Sequence, residues 1–174
     1  VLDLNGHYER NLLKNGVEIT RGNARFVGSK ALKVGADTFT ADHIVIAVGG
    51  RPVVPELPGA EFGITSDGFF ELTEQPRKVA VAGGGYIAVE LAGMLRALGS
   101  EVTMILRRAH FLNDFDAMLR HELMVQMQAD GVRMIVKTKI AGVEKASDGM
   151  RVSFENGTSA DGLDGLIWAI GRRT

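Results

Sequence analysis

The chain has 174 residues, 45% hydrophobic and 24% charged, with a formal net charge of −1. That balance is globular, and it excludes a protein that works through bulk positive charge on nucleic acid or a membrane surface. The absence of cysteine excludes structural disulfides, thiolate metal sites and a cysteine nucleophile within the chain, and no apolar run reaches the roughly 18 residues of a membrane span.

In chain order, Val1 to Lys14 carries Leu2, Leu4, Tyr8, Leu12 and Leu13 near i, i+4 spacing. This predicts the end of an amphipathic helix closed by Asn15-Gly16. Short strands are predicted at Val17–Thr20, Asn23–Val27, Ala31–Val34 and Thr38–Thr40, the last three as an antiparallel meander broken at Gly28-Ser29 and Gly35-Ala36-Asp37. His43–Val48 is a continuous apolar run ending in Gly49-Gly50, the pattern of a buried parallel strand. Pro52, Pro55 and Pro58 then mark a connection, and Thr65–Phe70 reads as a turn or short helical piece.

From Lys78 the pattern becomes β-α-β-α-β: a strand, a helix over Tyr86–Leu98, a strand over Val102–Leu106, a helix from Asp114 or Asp116 to about Asp130, and a strand over Val132–Val136. A meander follows at Ile140–Lys145, Met150–Phe154 and after Asn156-Gly157, a hairpin dipeptide. Leu163–Ile170 is a last apolar strand. The fold class is α/β: a Rossmann-like three-layer nucleotide-binding domain with a β-meander, preceded by a second, partial meander. His43–Arg51 and Gly165–Arg172 echo one another, as two nested dinucleotide-type domains would. Val1 is not Met and Thr174 follows closely on an apolar strand, so the chain is expected to be an internal part of a longer polypeptide.

Gly83, Gly85 and Ala88 occupy the small-residue positions of G-x-G-x-x-G/A between the first strand and helix of that unit. The first glycine permits the tight turn, the second lets a pyrophosphate approach the backbone, and the third small residue lets helix and strand pack closely. N–H groups at the helix start then face the phosphates. NAD-binding domains usually end their second strand in an acid that binds the ribose hydroxyls. Here that tip is Arg107-Arg108. Two guanidiniums suit a 2′-phosphate and an acid would repel it, so NADP(H) is expected over NAD(H). A solvated basic loop is the plain alternative.

Three stretches together resemble the flavoprotein disulfide reductases, and within that family the glutathione reductases: Ser66-Asp67-Gly68-Phe69-Phe70, Gly83-Gly84-Gly85-Tyr86-Ile87-Ala88-Val89-Glu90-Leu91-Ala92-Gly93 and Leu166-Ile167-Trp168-Ala169-Ile170-Gly171-Arg172. The resemblance covers essentially the whole chain. It implies an FAD domain interrupted by an NADPH domain: residues 1–50 as the end of the first FAD segment, 51–75 as a connection, 76–171 as the NADPH domain, and 172–174 as the return. It also implies a cytoplasmic homodimer in which NADPH reduces FAD and the flavin reduces a dithiol that acts on glutathione disulfide. The family's N-terminal FAD glycine motif, Cys-x4-Cys pair, later FAD motif and C-terminal His-Glu pair are not in this sequence. No catalytic residue is therefore assigned, and the chain alone is expected to be inactive.

By the same resemblance Gly83, Gly84 and Gly85 form the pyrophosphate loop. Tyr86 covers the nicotinamide site, and Ile87, Ile170 and Gly171 line the cofactor cleft. Glu90 contacts the carboxamide, pairing with a lysine that this sequence lacks. Arg107 and Arg108 hold the 2′-phosphate. Asn113 stands where the family often has a further arginine, which predicts weaker NADPH affinity or selectivity. On the flavin side Asn23 and Ala24 match a segment near the adenine, and Ala47 and Gly49 a strand end near the flavin nucleotide. Arg172 matches an arginine near the FAD, and Tyr8 a tyrosine that contacts glutathione. Trypanothione, mercuric and dihydrolipoamide-type reductases are alternatives, as is a stand-alone, non-catalytic dinucleotide-binding module.

Other tempting residues have plainer readings. His7, His43, His110 and His121 lack metal spacing. Asp114 and Asp116 suit a helix cap, and Met118, Met124, Met127 and Met134 suit core filling. Ser66 has no histidine placed to complete a triad.

Overall fold

The computed structural model describes the backbone of residues 2–174 and side chains from residue 4 onward. The chain divides into two compact units, residues 1–48 and 49–174.

The first unit holds helix α1 (Leu2–Lys14) and an antiparallel sheet of β1 (Ala24–Gly28), β2 (Ala31–Val34) and β3 (Asp37–Thr40), in the order β1-β2-β3. Gly16 closes the helix at φ 76°, a left-handed value that costs glycine little. Two expected strands do not form. Residues 17–20 carry no ladder, and residues 43–48 run without strand pairing, with Val45 87% and Val48 84% exposed. A continuous apolar run is stable as a parallel strand only when other strands flank it. Among the described residues of this unit the three paired strands satisfy one another, and none pairs with residues 43–48.

The second unit is built on a five-stranded, wholly parallel sheet. Its members are β5 (Ile64–Thr65), β6 (Lys78–Ala82), β7 (Glu101–Ile105), β8 (Arg133–Ile135) and β12 (Gly165–Trp168), in the order β5-β12-β6-β7-β8. Helices α3 (Tyr86–Ala97) and α4 (Ala117–Ala129) cross over from β6 to β7 and from β7 to β8. The meander β9 (Ile140–Ala146), β10 (Gly149–Phe154) and β11 (Ser159–Leu163) forms a separate antiparallel sheet. A short helix α2 (Ser66–Phe69) follows β5, and β4 (Arg51–Pro52) pairs antiparallel with β13 (Arg172–Arg173). β4, β5 and the 3₁₀ turn Ala60–Phe62 lie in the stretch that reads from sequence as a connection.

Strand β6 shows how the layers form. Its side chains alternate between the two faces of the sheet. Val79 and Val81 join a core with Ala88, Leu91, Ala92 and Leu95 of α3 and with Val102, Met104 and Phe111. Ala80 and Ala82 join a second core with Trp168, Leu166, Val143, Val152 and Phe154. Each buried leucine or valine contributes roughly 1.5–3 kcal/mol. The small alanines let the meander close on the sheet. The Trp168 indole N–H, buried between layers, donates to the Ala60 carbonyl at 2.8 Å, which fixes the 3₁₀ turn against the core. The Asp116 carboxylate caps α4, accepting from the N–H groups of Met118 (2.9 Å) and Leu119 (3.4 Å).

Candidate functional site

The glycine turn stands at the C-terminal end of β6, between β12 on one side and β7 on the other. From β6 the chain builds outward through α3, β7, α4 and β8, and β12 returns on the opposite side. This is the point at which strand order reverses, where open parallel sheets bind ligands. Gly83 has φ 137°, and a Cβ there would drive into the Ala169 carbonyl. Only glycine fits. Gly85 precedes α3 with no side-chain cap, and a Cβ placed on it would meet nothing within 4 Å. The first-turn N–H groups of α3 have no intrahelical acceptor and lie beside this open backbone. Ala88 is fully buried against the strand, as the third small position of the motif requires. These features fit a dinucleotide pyrophosphate.

The loop after β7 is fastened to this turn at both ends. The Gly83 N–H donates to the Ile105 carbonyl at 3.1 Å, and the Leu112 N–H donates to the Gly84 carbonyl at 2.7 Å. Phe111 is fully buried, with its Cα 3.4 Å from where a Cβ on Gly84 would stand. Leu112 sits at φ 50°, a left-handed value uncommon for a side chain of its size. The next connection is fastened to the same loop: the Thr138 N–H reaches the Leu106 carbonyl at 3.2 Å, and the Lys137 N–H reaches the Arg108 carbonyl at 3.3 Å. These contacts were not legible as site features. Phe111 and Leu112 give the one sequence signal, two adjacent large apolar residues between His110 and Asn113 in a short loop.

Arg107 and Arg108 are exposed on that loop, and none of the ion pairs among the described residues involves them. Asn113 is exposed, and its amide turns back to donate to the His110 carbonyl at 3.4 Å. Tyr86 is 58% exposed at the start of α3, with Ile87 half-buried beside it. Glu90 is exposed one helical turn further on, on the same face as Tyr86. Ile170 and Gly171 follow β12 at the same end of the sheet as the glycine turn. The structure thus brings together Gly83 to Ala88, Arg107, Arg108, Asn113, Ile170 and Gly171.

The remaining site residues lie elsewhere. The Arg172 guanidinium donates to the Gly50 carbonyl, the Ser66 hydroxyl (3.4 Å) and the Asp67 carboxylate (3.3 Å), so it ties β13 to the start of α2. Gly49 begins the second unit at φ 69°. In the first unit, Asn23 and Ala24 line a cleft of about 620 Å³ with Arg21, Arg25 and Lys33, while Tyr8 is 59% exposed on α1. Ala47 is exposed in the unpaired segment 43–48. Among the described residues no cluster of His, Asp and Glu could hold a metal ion, and no helix is long and apolar enough to cross a membrane.

The sequence matches the pyridine nucleotide-disulphide oxidoreductase family model over residues 1–174. It is 44% identical to a glutathione reductase of Schizosaccharomyces pombe over 177 residues, covering 97% of this chain and 38% of the relative. It is 46% identical to a glutathione reductase of Nostoc sp. over 143 residues, covering 82% of this chain and 31% of the relative. The chain therefore spans well under half the length of these relatives. Among solved structures it is similar to the HOCl-induced flavoprotein disulfide reductase RclA of Escherichia coli, with a TM-score of 0.79 and 26% identity over 94% of this chain and 40% of that one. A cysteine-to-serine variant of RclA in its Cu(II) complex gives a TM-score of 0.83 at 26% identity, over 97% of this chain and 40% of that one.

Proposed function

The chain belongs to the pyridine nucleotide-disulphide oxidoreductase family, and from that premise we propose that it is the NADPH-binding part of a glutathione-reductase-like flavoenzyme. One observation carries the reading: an open glycine turn at the switch point of a parallel sheet, with two exposed guanidiniums on the loop fastened to it. Gly83 to Gly85 and the first turn of α3 hold the pyrophosphate, with the helix dipole adding to the N–H donors. Arg107 and Arg108 hold the 2′-phosphate through charge-assisted bonds. Tyr86 covers the nicotinamide end and excludes water until the cofactor arrives. Ile87, Ile170 and Gly171 shape the cleft, and Glu90 orients the carboxamide. When bound, NADPH supplies the hydride that an FAD passes on to a disulfide.

In this reading residues 1–50 belong to an FAD domain, residues 51–75 connect, residues 76–171 bind NADPH, and residues 172–174 lead back. Asn23, Ala24, Ala47, Gly49 and Arg172 then serve the flavin. The cationic lining of the cleft at Asn23 suits an anionic nucleotide. Tyr8 contacts glutathione. The whole enzyme is a cytoplasmic homodimer acting on glutathione disulfide, its redox thiols and acid–base pair lying outside this sequence, which has no cysteine. The likeness to two glutathione reductases at 44% and 46% identity supports that substrate over trypanothione, mercuric ion or dihydrolipoamide.

Calorimetric titration of the chain with NADPH and NADH tests the reading. NADPH should bind at least about tenfold tighter, and Arg107→Ala should remove most of that difference, as loss of a charged hydrogen bond implies. Equal binding of the two by the parent chain would refute it.

A further inference from the structure

Helix α4 carries a cation that the sequence motif does not include. Arg120 lies on its first turn, four residues after Asp116, a spacing at which a carboxylate and a guanidinium ordinarily pair. They do not pair here. The Asp116 carboxylate is committed to the N–H groups of Met118 and Leu119. Arg120 instead reaches back over the loop, and its Nη1 donates to the Asn113 carbonyl at 3.4 Å. Arg120 is half-buried, and none of the ion pairs among the described residues includes it.

That placement puts Arg120 on the loop of the two strand-tip arginines. Ile105 and Leu112 are hydrogen-bonded to the adjacent residues Gly83 and Gly84, so the two ends of the loop stand side by side. Arg107 leaves from one end, just after β7, and Asn113 follows the other end. A guanidinium on the Asn113 carbonyl therefore flanks the same short loop as Arg107 and Arg108. Asn113 offers no charge, and its amide is turned inward to His110. Arg120 spends a single N–H on Asn113 and keeps its remaining donors. Its α4 anchor is set by the Asp116 cap, which lowers the ordering cost of a bound geometry.

We infer that Arg120 is a third cation for the phosphate on the adenosine ribose, a specificity-determining residue supplied by α4 in place of charge at position 113. The inference rests on the NADPH reading above. Arg120 touches the phosphomonoester, and its bond to Asn113 keeps the guanidinium over the loop when no nucleotide is present. The ligand chemistry it selects is a ribose carrying a 2′-phosphate, as opposed to a free 2′-hydroxyl.

The test is calorimetric titration of the full 174-residue chain with adenosine 2′,5′-bisphosphate and with 5′-AMP. Arg120→Met, which keeps the stem and removes the charge, should weaken the bisphosphate roughly tenfold and 5′-AMP less than twofold, the scale of one charged hydrogen bond. Arg120→Lys should recover most of the loss. Circular dichroism melting shows whether each variant folds. If Arg120→Met weakens both ligands alike, or neither, the residue is only a brace of the loop and the inference is wrong. Arg107→Ala, titrated in parallel, separates the two levels. Lost discrimination with Arg107→Ala but not with Arg120→Met overturns the Arg120 role alone. No discrimination in the parent chain overturns the NADPH reading and this inference with it.

Discussion

Gly83 and the carbonyl of Ala169 occupy the same small space: a Cβ on the glycine would drive into the backbone of the neighbouring strand's exit. β6 and β12 are paired through Ala82 and Trp168, and the Ala169 N–H donates to the Ala82 carbonyl at 2.8 Å. The glycine turn is thus also a close approach of two backbone segments. Gly83→Ala should destabilise the chain by about 2 kcal/mol or more, combining left-handed strain with a backbone clash. Gly85→Ala should change stability by no more than about 0.5 kcal/mol, since its φ is −87° and its Cβ would meet nothing. Yet it should weaken dinucleotide binding, because the added methyl lies on the open backbone. Urea melts beside nucleotide titrations check both. A Gly85→Ala chain that binds as tightly as the parent would remove the phosphate from this turn.

Ser100 is fully buried at the end of the α3 crossover. Its hydroxyl donates to the Pro76 carbonyl at 2.7 Å and accepts from the Gln75 amide at 2.9 Å. Ser100→Ala leaves a carbonyl without its donor and should cost about 1–3 kcal/mol. Chemical denaturation measures this. Ser100→Thr keeps the hydroxyl and adds a methyl, so its cost reports the packing alone.

The meander carries a pH-dependent pair. The Asp161 carboxylate accepts from the Arg151 guanidinium and from the Ser159 hydroxyl at 2.8 Å. The Arg151 hydrogen bond first, and then that of Ser159, hold its pKa below the ordinary carboxylate range. A depressed folded pKa stabilises the fold above the unfolded value, near 3.9, and that stabilisation is lost as pH falls through the lower, folded value. Asp161→Asn should therefore lower the melting temperature at pH 7. The gap from the parent should close on acidification below the ordinary carboxylate range. A gap that stays constant down to pH 2 would assign the effect to something other than the charge.

The Arg172 guanidinium joins β13 to Ser66 and Asp67 of α2 and to the Gly50 carbonyl. The ion pair is partly exposed, with side chains 38% and 63% accessible, so a double-mutant cycle with Asp67→Asn should give a coupling of only about 0.2–1 kcal/mol. The larger effect should be local. Arg172→Ala should speed hydrogen exchange at the Val53 N–H, which bonds to the Gly171 carbonyl at 2.9 Å. Unchanged exchange there would show that the β4–β13 pair holds without the arginine.

Local signals were legible. The glycine motif and a helix cap at Asp114 or Asp116, which the structure places at Asp116, each lie within a few consecutive residues, and the strand-helix alternation from Lys78 is built from local patterns. Features that depend on a distant partner were not legible. Ile64–Thr65 becomes a strand because β12 lies beside it, and two residues show no alternation. Residues 43–48 have the composition of a buried strand, but composition cannot supply the flanking strands that make one. Phe111 and Leu112 read as loop residues, and their docking on Gly84 depends on a turn some 27 positions earlier in the chain. Arg120 is hidden for the opposite reason. It sits at an ordinary ion-pair spacing from Asp116, and only the structure shows that the acid is spent elsewhere.

The pairing of β4 with β13 matches Arg172 to Pro52 and Arg173 to Arg51, so the first and last strands of the second unit run as adjacent threads. A host loop needs only a small gap to accept such a body, and the loop-closure cost of carrying it is nearly independent of its size. Joining residues 173 and 51 by a short linker and opening the chain at the Asn156-Gly157 turn should give a circular permutant with the same parallel sheet, because the junction spans a distance that the native strands already hold.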